Sequence, residues 1–282
     1  MIKILIEILK GAMIGIANIV PGLSGGTLAV VMNIYDKLID AISNIVTHPI
    51  KAIKSIWIYV IGIVIGIVFG VFAVTYLLNN YEIPTTFMFV GLIIGAVPLL
   101  ITQINQSKIT KGNVAIAFLM GIIVISLPFL SSIGNIATID NPVIYFILGA
   151  IAAGTMVIPG VSGSMVLMTL GYYDKVMDLV KNTITAVISL DVTTVLNNMI
   201  YIIPLGIGIL LGIILIAKVI KYLFNRHKQL TIFAILGLVI ASPFAVITEM
   251  NTVNIDVLAI VISVITFGVG YKVAEIFGKL ED

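Results

Sequence analysis

The sequence predicts an all-α integral membrane protein built from two inverted-topology repeats, each a re-entrant helical hairpin followed by three transmembrane helices. Three observations carry that expectation. The composition is too apolar for a water-soluble domain, one Pro-Gly motif occurs twice at a fixed offset, and the basic residues gather on one set of connecting segments.

Of the 282 residues, 60% are hydrophobic and 10% charged, and the mean hydropathy is +1.24. Soluble domains carry roughly 25% charged residues. A chain this poor in polar groups cannot cover its own surface in water. Spanning a bilayer takes about 20 apolar residues. Ile56–Leu78, Val114–Leu130, Asn141–Tyr173, Met199–Ala217 and Leu230–Thr248 meet that need, and the shorter runs Ile83–Ile101 and Val257–Tyr271 belong with them. The run Asn141–Tyr173 is too long for one straight crossing, so it must fold back. Glu7 and Lys10 interrupt the apolar start of the chain, which therefore does not read as a cleavable signal. There is no cysteine, which removes disulfides and thiolate metal sites. No cofactor motif and no nucleic-acid partner are indicated.

The internal repeat organises the rest. Pro21-Gly22-Leu23-Ser24-Gly25-Gly26-Thr27 recurs as Pro159-Gly160-Val161-Ser162-Gly163-Ser164-Met165. Tyr35-Asp36-Lys37 and Asp40 recur as Tyr173-Asp174-Lys175 and Asp178 at the same offset of 138. That is eight identities in twenty positions, all of them polar or backbone-special. Farther on, Gly66 and Gly91-Leu92 correspond to Gly212 and Gly237-Leu238 after an eight-residue insertion. The halves are residues 1–140 and 141–282.

Each half reads in the same order. In the first, an apolar arm (Ile4–Val20) meets the Pro-Gly tip and a second arm (Ser24–Ile45) returns, giving a hairpin over 4–45. Helices follow at about 56–78, 83–101 and 114–130. In the second, arms Val143–Ile158 and Ser162–Val180 form a hairpin over 143–180, with helices at about 199–220, 230–248 and 257–273. Proline and glycine break the helix at each tip. Such a break is tolerated at membrane depth only where protein or a cavity surrounds it. Pro98, Pro128, Pro204 and Pro243 are expected to kink their helices, and Gly62, Gly66 and Gly70 to let helices approach closely.

A hairpin adds no net crossing or two, so three further helices leave each half with an odd number. The second half then runs inverted, as in many secondary transporters. Charge tests the inference independently. With the N-terminus inside, 13 of the 15 basic residues fall on the inner side, and only Lys175 and Lys181 lie outside. Glu82, Asp140, Asp191, Glu249 and Asp256 fall on outer segments. The positive-inside rule therefore places both termini in the cytoplasm.

Catalytic chemistry is poorly supplied. His48 and His227 lie in polar connecting segments, and the single arginine, Arg226, sits in a basic loop. No clustered ligands suggest a metal. The repeated tip is the strongest functional signal. Backbone N–H groups at a helix start lack intrahelical partners and suit an anion such as phosphate. Candidate binding groups are Pro21, Gly22, Ser24, Gly25, Gly26 and Thr27 in the first tip, and Pro159, Gly160, Ser162, Gly163 and Ser164 in the second. The plainer reading is a tight turn whose small residues permit helix packing. Asn18, Tyr35, Asp36, Lys37, Tyr173, Asp174 and Lys175 either guide a headgroup or form structural pairs at the membrane edge.

The doubled P-G-[LV]-S-G-[GS] tip, the preceding Gly15-Ile16-Ala17-Asn18-Ile19-Val20 and the trailing Tyr-Asp-Lys resemble the bacterial polyprenyl-phosphate transporters over essentially the whole chain. The resemblance implies flipping of undecaprenyl phosphate, the carrier lipid of cell-wall synthesis, from the outer leaflet to the cytoplasmic one. Ser164-Met165 replaces Gly26-Thr27 in the second copy, so the two tips are not expected to contribute equally. The alternatives are a secondary transporter of a small anion or ion, and a membrane polyprenyl-pyrophosphate phosphatase. A phosphatase would want arginine or histidine at the tip, and neither is there.

Overall fold

A computed structural model describes residues 2–18, 20, 22–104, 106, 109–131, 140–248, 250 and 256–279, and among these every regular element is a helix. In chain order they are α1 (Ile2–Ala17), α2 (Gly25–Val31), α3 (Tyr35–Asn44), α4 (Pro49–Phe69), a π-helical turn (Gly70–Val74), α5 (Thr75–Asn80), α6 (Glu82–Thr102), α7 (Lys111–Ser131), α8 (Pro142–Val157), α9 (Gly163–Thr169), α10 (Tyr173–Ile188), α11 (Val192–Thr248) and α12 (Val257–Lys279).

Five helical segments are long and apolar enough to cross a membrane: Pro49–Asn80, Glu82–Thr102, Lys111–Phe129, Val192–Thr248 and Val257–Lys279. At 1.5 Å per residue a straight α11 would run roughly 85 Å, far beyond the ~30 Å hydrocarbon core. It is interrupted at His227, whose φ of −137° and ψ of 48° leave the helical region, so it comprises two spans joined at a break. The protein is a multi-pass membrane protein.

Local chemistry sets the helix starts. Asn141 accepts a hydrogen bond from the Val143 amide (2.8 Å) ahead of Pro142, which needs no donor at that position. Asp191 accepts from the Thr194 amide at 3.1 Å and starts α11 seven residues before the apolar run Met199–Ala217 expected. Pro49 likewise starts α4 ahead of the expected Ile56, because Lys51 and Lys54 lie in the opening turns of the helix.

The contact register shows how the helices run. An added Cβ at Gly11 would meet the Tyr59 carbonyl, and one at Gly15 the Ile63 carbonyl, so α1 and α4 advance together and are parallel. Gly149 lies against Leu205 and Gly154 against Gly212 and Ile216, so α8 and the first span of α11 are parallel too. In each half, therefore, the elements between those two helices return the chain to the end where it entered. The remaining helices pair across the halves. Gly91 and Gly95 of α6 lie against Phe267 and Tyr271 of α12, and Gly237 of α11 lies against Ala117 of α7. Glycines at 62, 66 and 91 and their counterparts at 208, 212 and 237, offset by 146, all put backbone against backbone. Without side chains between them, helices gain dispersion contact that lipid cannot supply.

Each returning arm differs from the expected single helix. In the first, Asn33 takes a φ of 57° between α2 and α3, and in the second, Gly171 takes 72° between α9 and α10. These positions are also 138 apart. Asparagine and glycine tolerate the left-handed region that other side chains resist, and that tolerance splits each arm. The π-helical turn was likewise absent from the expected pattern.

Candidate functional site

The two hairpin tips meet inside the protein, and they meet unequally. Gly22 and Gly160 turn the chain with φ of 73° and 82°. After the first turn, Ser24 caps α2 by accepting from the Gly26 amide at 3.2 Å. Its hydroxyl also lies 3.2 Å from the Met156 carbonyl and 3.3 Å from that of Ile158. The Gly160 amide donates to Thr27 Oγ1 at 2.7 Å. The Tyr35 hydroxyl donates to the Val157 carbonyl at 3.0 Å. The first hairpin thus holds the end of α8 and the unwound backbone just beyond it, where the last helical carbonyls need donors. The second tip does not reciprocate this way. Ser162 and Ser164 pair with each other at 2.7 Å, and Met165 stands where Thr27 would supply its hydroxyl.

Ser24 and Thr27 are 2% and 0% exposed, and Ser162 is buried as well. No buried side-chain nitrogen or oxygen among the described residues lacks a partner. The tip hydroxyls are therefore engaged with the opposing hairpin or with each other, in a closed arrangement. Pro159 is buried beside them, and Ser164 is half-buried. Pro21 lies outside the described residues.

The tip glycines serve packing. An added Cβ at Gly26 would come within 2.9 Å of the Val157 carbonyl, and one at Gly160 within 2.7 Å of the Leu238 carbonyl. At Gly163 it would strike the Ala152 carbonyl. At Gly25 the nearest atoms belong to the Asn18 side-chain amide, which caps α1 by donating to the Ile14 carbonyl at 3.0 Å.

The Tyr-Asp-Lys motif splits three ways. Tyr35 reaches the tip contact, with its ring 6.4 Å from that of Phe224 on α11. Asp36 lines a cleft shared with Asp40, Lys221, Asn225 and Lys228. Lys37 turns to the opposite side, where its ammonium lies 3.4 Å from Glu7 Oε1 and 3.0 Å from the Tyr59 hydroxyl. In the second copy, Lys175 pairs with Asp140 at 2.9 Å, Asp174 is exposed and Tyr173 is half-buried.

The Glu7–Tyr59–Lys37 cluster was not legible beforehand. Tyr59 donates to Glu7 Oε1 at 3.1 Å, so one carboxylate ties α1, α3 and α4 together. Glu7 is 8% exposed and Lys10 only 1%, which places both inside the protein rather than at its basic face. The one prior signal was two charges in an otherwise apolar arm. Replacing Glu7 by alanine strands two donors and is expected to cost about 1–3 kcal/mol, read as a lower melting temperature in detergent. Tyr59→Phe should cost less, since Lys37 keeps its carboxylate.

His48, Arg226 and His227 are exposed. Among the described residues, no group of three or more His, Asp or Glu side chains is placed to hold a metal.

Comparison with known proteins agrees with this picture. The model of a family described as undecaprenyl phosphate translocase-like matches residues 14–255 and, in a second match, 191–277. A polyprenyl-phosphate transporter of Staphylococcus aureus is 34% identical across 98% of this chain and 96% of its own. A polyprenyl-phosphate transporter of Vibrio cholerae is 29% identical across 83% of this chain and 74% of its own. No solved structure matches. Spanning helices, a doubled Pro-Gly tip and a family match over most of the sequence agree, and the chain belongs to the undecaprenyl phosphate translocase-like family.

Proposed function

We propose that this protein flips polyprenyl phosphate, undecaprenyl phosphate above all, from the outer to the cytoplasmic leaflet, with the headgroup passing between the two hairpin tips. The observation that carries the proposal is the tip contact. Hydroxyls and peptide groups of both hairpins lie together in the protein interior, where a lipid chain has no use for them and a phosphate does. Carrying a bare phosphate across hydrocarbon is costly, so a protein that shelters the headgroup while the tail stays in lipid answers the physical problem.

The halves 1–140 and 141–282 act as inverted repeats in this proposal, with both termini in the cytoplasm of a bacterial cell. The pairing of α6 with α12 and of α7 with α11, each parallel, supports that reading. A chain that alternates direction at every connection meets that register when its second half is turned over. The closed tip contact represents one state of the cycle, and headgroup entry exchanges hydroxyl–carbonyl bonds for hydroxyl–phosphate ones. The protein acts as a transporter and not as an enzyme.

The test is a vesicle assay with purified protein, following leaflet exchange of a labelled polyprenyl phosphate, uptake of inorganic phosphate, and phosphate release from polyprenyl pyrophosphate. Lipid exchange alone is expected. Uptake of the soluble anion without lipid exchange would favour the small-anion transporter, and phosphate release at enzymatic rates the phosphatase. Alanine at His48, Arg226 or His227 is expected to leave lipid exchange within about twofold of the parent, since all three side chains are exposed and the break at His227 is a feature of its backbone, in an extended-side φ that alanine can also adopt.

A further inference from the structure

We propose that the cleft between α3 and the break in α11 is a second phosphate site, distinct from the tips, where Lys221 and Lys228 hold the headgroup and Asp40 closes the cleft in its absence. The proposal rests on the lipid-phosphate reading above and names where the headgroup sits at the lysine-rich end.

The cleft measures about 220 Å³, room for several waters or a phosphate group, and is lined by Asp36, Asp40, Lys221, Asn225 and Lys228. A smaller chamber of about 50 Å³, bounded by Asn33, Tyr35 and Gln103, shares Asp36 and Phe224 with it. Tyr35, which lines the smaller chamber, touches the hairpin contact through its hydroxyl bond to the Val157 carbonyl.

Charge within the cleft is balanced. Lys221 makes an ion pair with Asp40 at 2.6 Å, bridging the first hairpin to α11, and Lys228 faces Asp36 across the space. The Lys221–Asp40 pair is open to solvent, so it is weak and exchangeable. A phosphate monoester offers lysine the same oxygen chemistry as a carboxylate with more charge. It can take Lys221 from Asp40 and bind Lys228 and the Asn225 amide as well. Holding the anion by displacement keeps its affinity modest, which suits a site that must let go. The counterpart positions in the first half, 75 and 82, are Thr and Glu. The lysine pair is therefore not repeated at the counterpart positions.

The experiment measures the dissociation constant of the detergent-purified full chain for a short-chain polyprenyl phosphate and for inorganic phosphate, alongside lipid exchange in vesicles. Lys221→Gln and Lys228→Gln are each expected to weaken lipid-phosphate binding about tenfold or more. Asp40→Asn removes the competitor and should tighten it several-fold. The sign difference between the two ends of one ion pair is decisive. A merely structural pair predicts that Lys221→Gln and Asp40→Asn lower the melting temperature alike and leave both constants unchanged, which would overturn the proposal. Inorganic phosphate following the same order as the lipid places recognition in the phosphate alone. If only the lipid does, its first prenyl units take part. A parent protein that exchanges lipid while its lysine variants bind normally refutes this site and leaves the transport reading standing. A parent that neither binds nor exchanges lipid refutes both.

Discussion

Gly66→Val and Gly237→Val are expected to abolish recovery of folded protein, while Gly206→Ala and Gly268→Ala leave it unchanged or slightly improved. An added Cβ at Gly66 would fall against the backbone of Ala12, and one at Gly237 against that of Ala117. Backbone cannot rotate out of the way as a side chain can, so whole helices must separate. Overpacking costs about 1–3 kcal/mol where side chains can adjust, and more where they cannot. In these two pairs, α1 with α4 and α7 with α11, the contact is itself the source of association. Gly206 and Gly268 have nothing within 4 Å, so alanine there meets open space. It should gain about 0.5–1 kcal/mol of helix stability. Yield of monodisperse protein in detergent and its melting temperature check both halves of the expectation.

Thr27→Val is expected to loosen the hairpin contact without unfolding the protein. Thr27 is wholly buried, and its Oγ1 is the acceptor for the Gly160 amide. Valine fills nearly the same volume but leaves that amide without a partner, a cost of about 1–3 kcal/mol. A two-state contact would shift by roughly 5- to 150-fold. Faster hydrogen exchange at residues 160–163 and a slower lipid-exchange rate, by tenfold or more, are the expected readings, with Thr27→Ser restoring both. Tyr35→Phe leaves a carbonyl rather than an amide unpaired, and carbonyls bear that better, so the effect should be smaller. Unchanged exchange in Thr27→Val would mean that the tips are held by packing alone.

The sequence made the coarse fold legible because its signals are long or doubled. Runs of twenty apolar residues announce spans without help from context, and a motif with an exact offset of 138 announces a repeat. The division of the returning arms at Asn33 and Gly171 was hidden, since one residue in the left-handed region leaves hydropathy untouched. Helix starts at Pro49 and Val192 were placed late because charged opening turns do not look like membrane. At the site, the residue types were legible and their partners were not. Ser24 stood out by repetition and Thr27 by its place in the tip, but their bonds run 132–134 residues along the chain. Distances of that kind follow from packing, which periodicity does not encode. The tip glycines were read among the candidate phosphate-binding groups. Gly26 admits the backbone of the other hairpin and Gly163 that of α8 in its own, so valine at either would test folding more than ligand approach. Glu7 and Lys10 were taken as interruptions of an apolar arm, and burial among α1, α3 and α4 makes at least Glu7 a structural tie.

The central claim, that a lipid phosphate passes between the two tips, meets its most direct test in vesicles carrying the Ser24→Ala/Ser162→Ala double variant. Each hydroxyl given to a charged group contributes about 1.5–3 kcal/mol, and the lost cap on α2 alone costs about 0.5–2 kcal/mol of stability. The account predicts folded protein in normal yield whose lipid-exchange rate is at least about a hundredfold below the parent's. Exchange at the parent's rate by well-folded double variant would contradict it, making the tips packing turns and placing the headgroup path elsewhere.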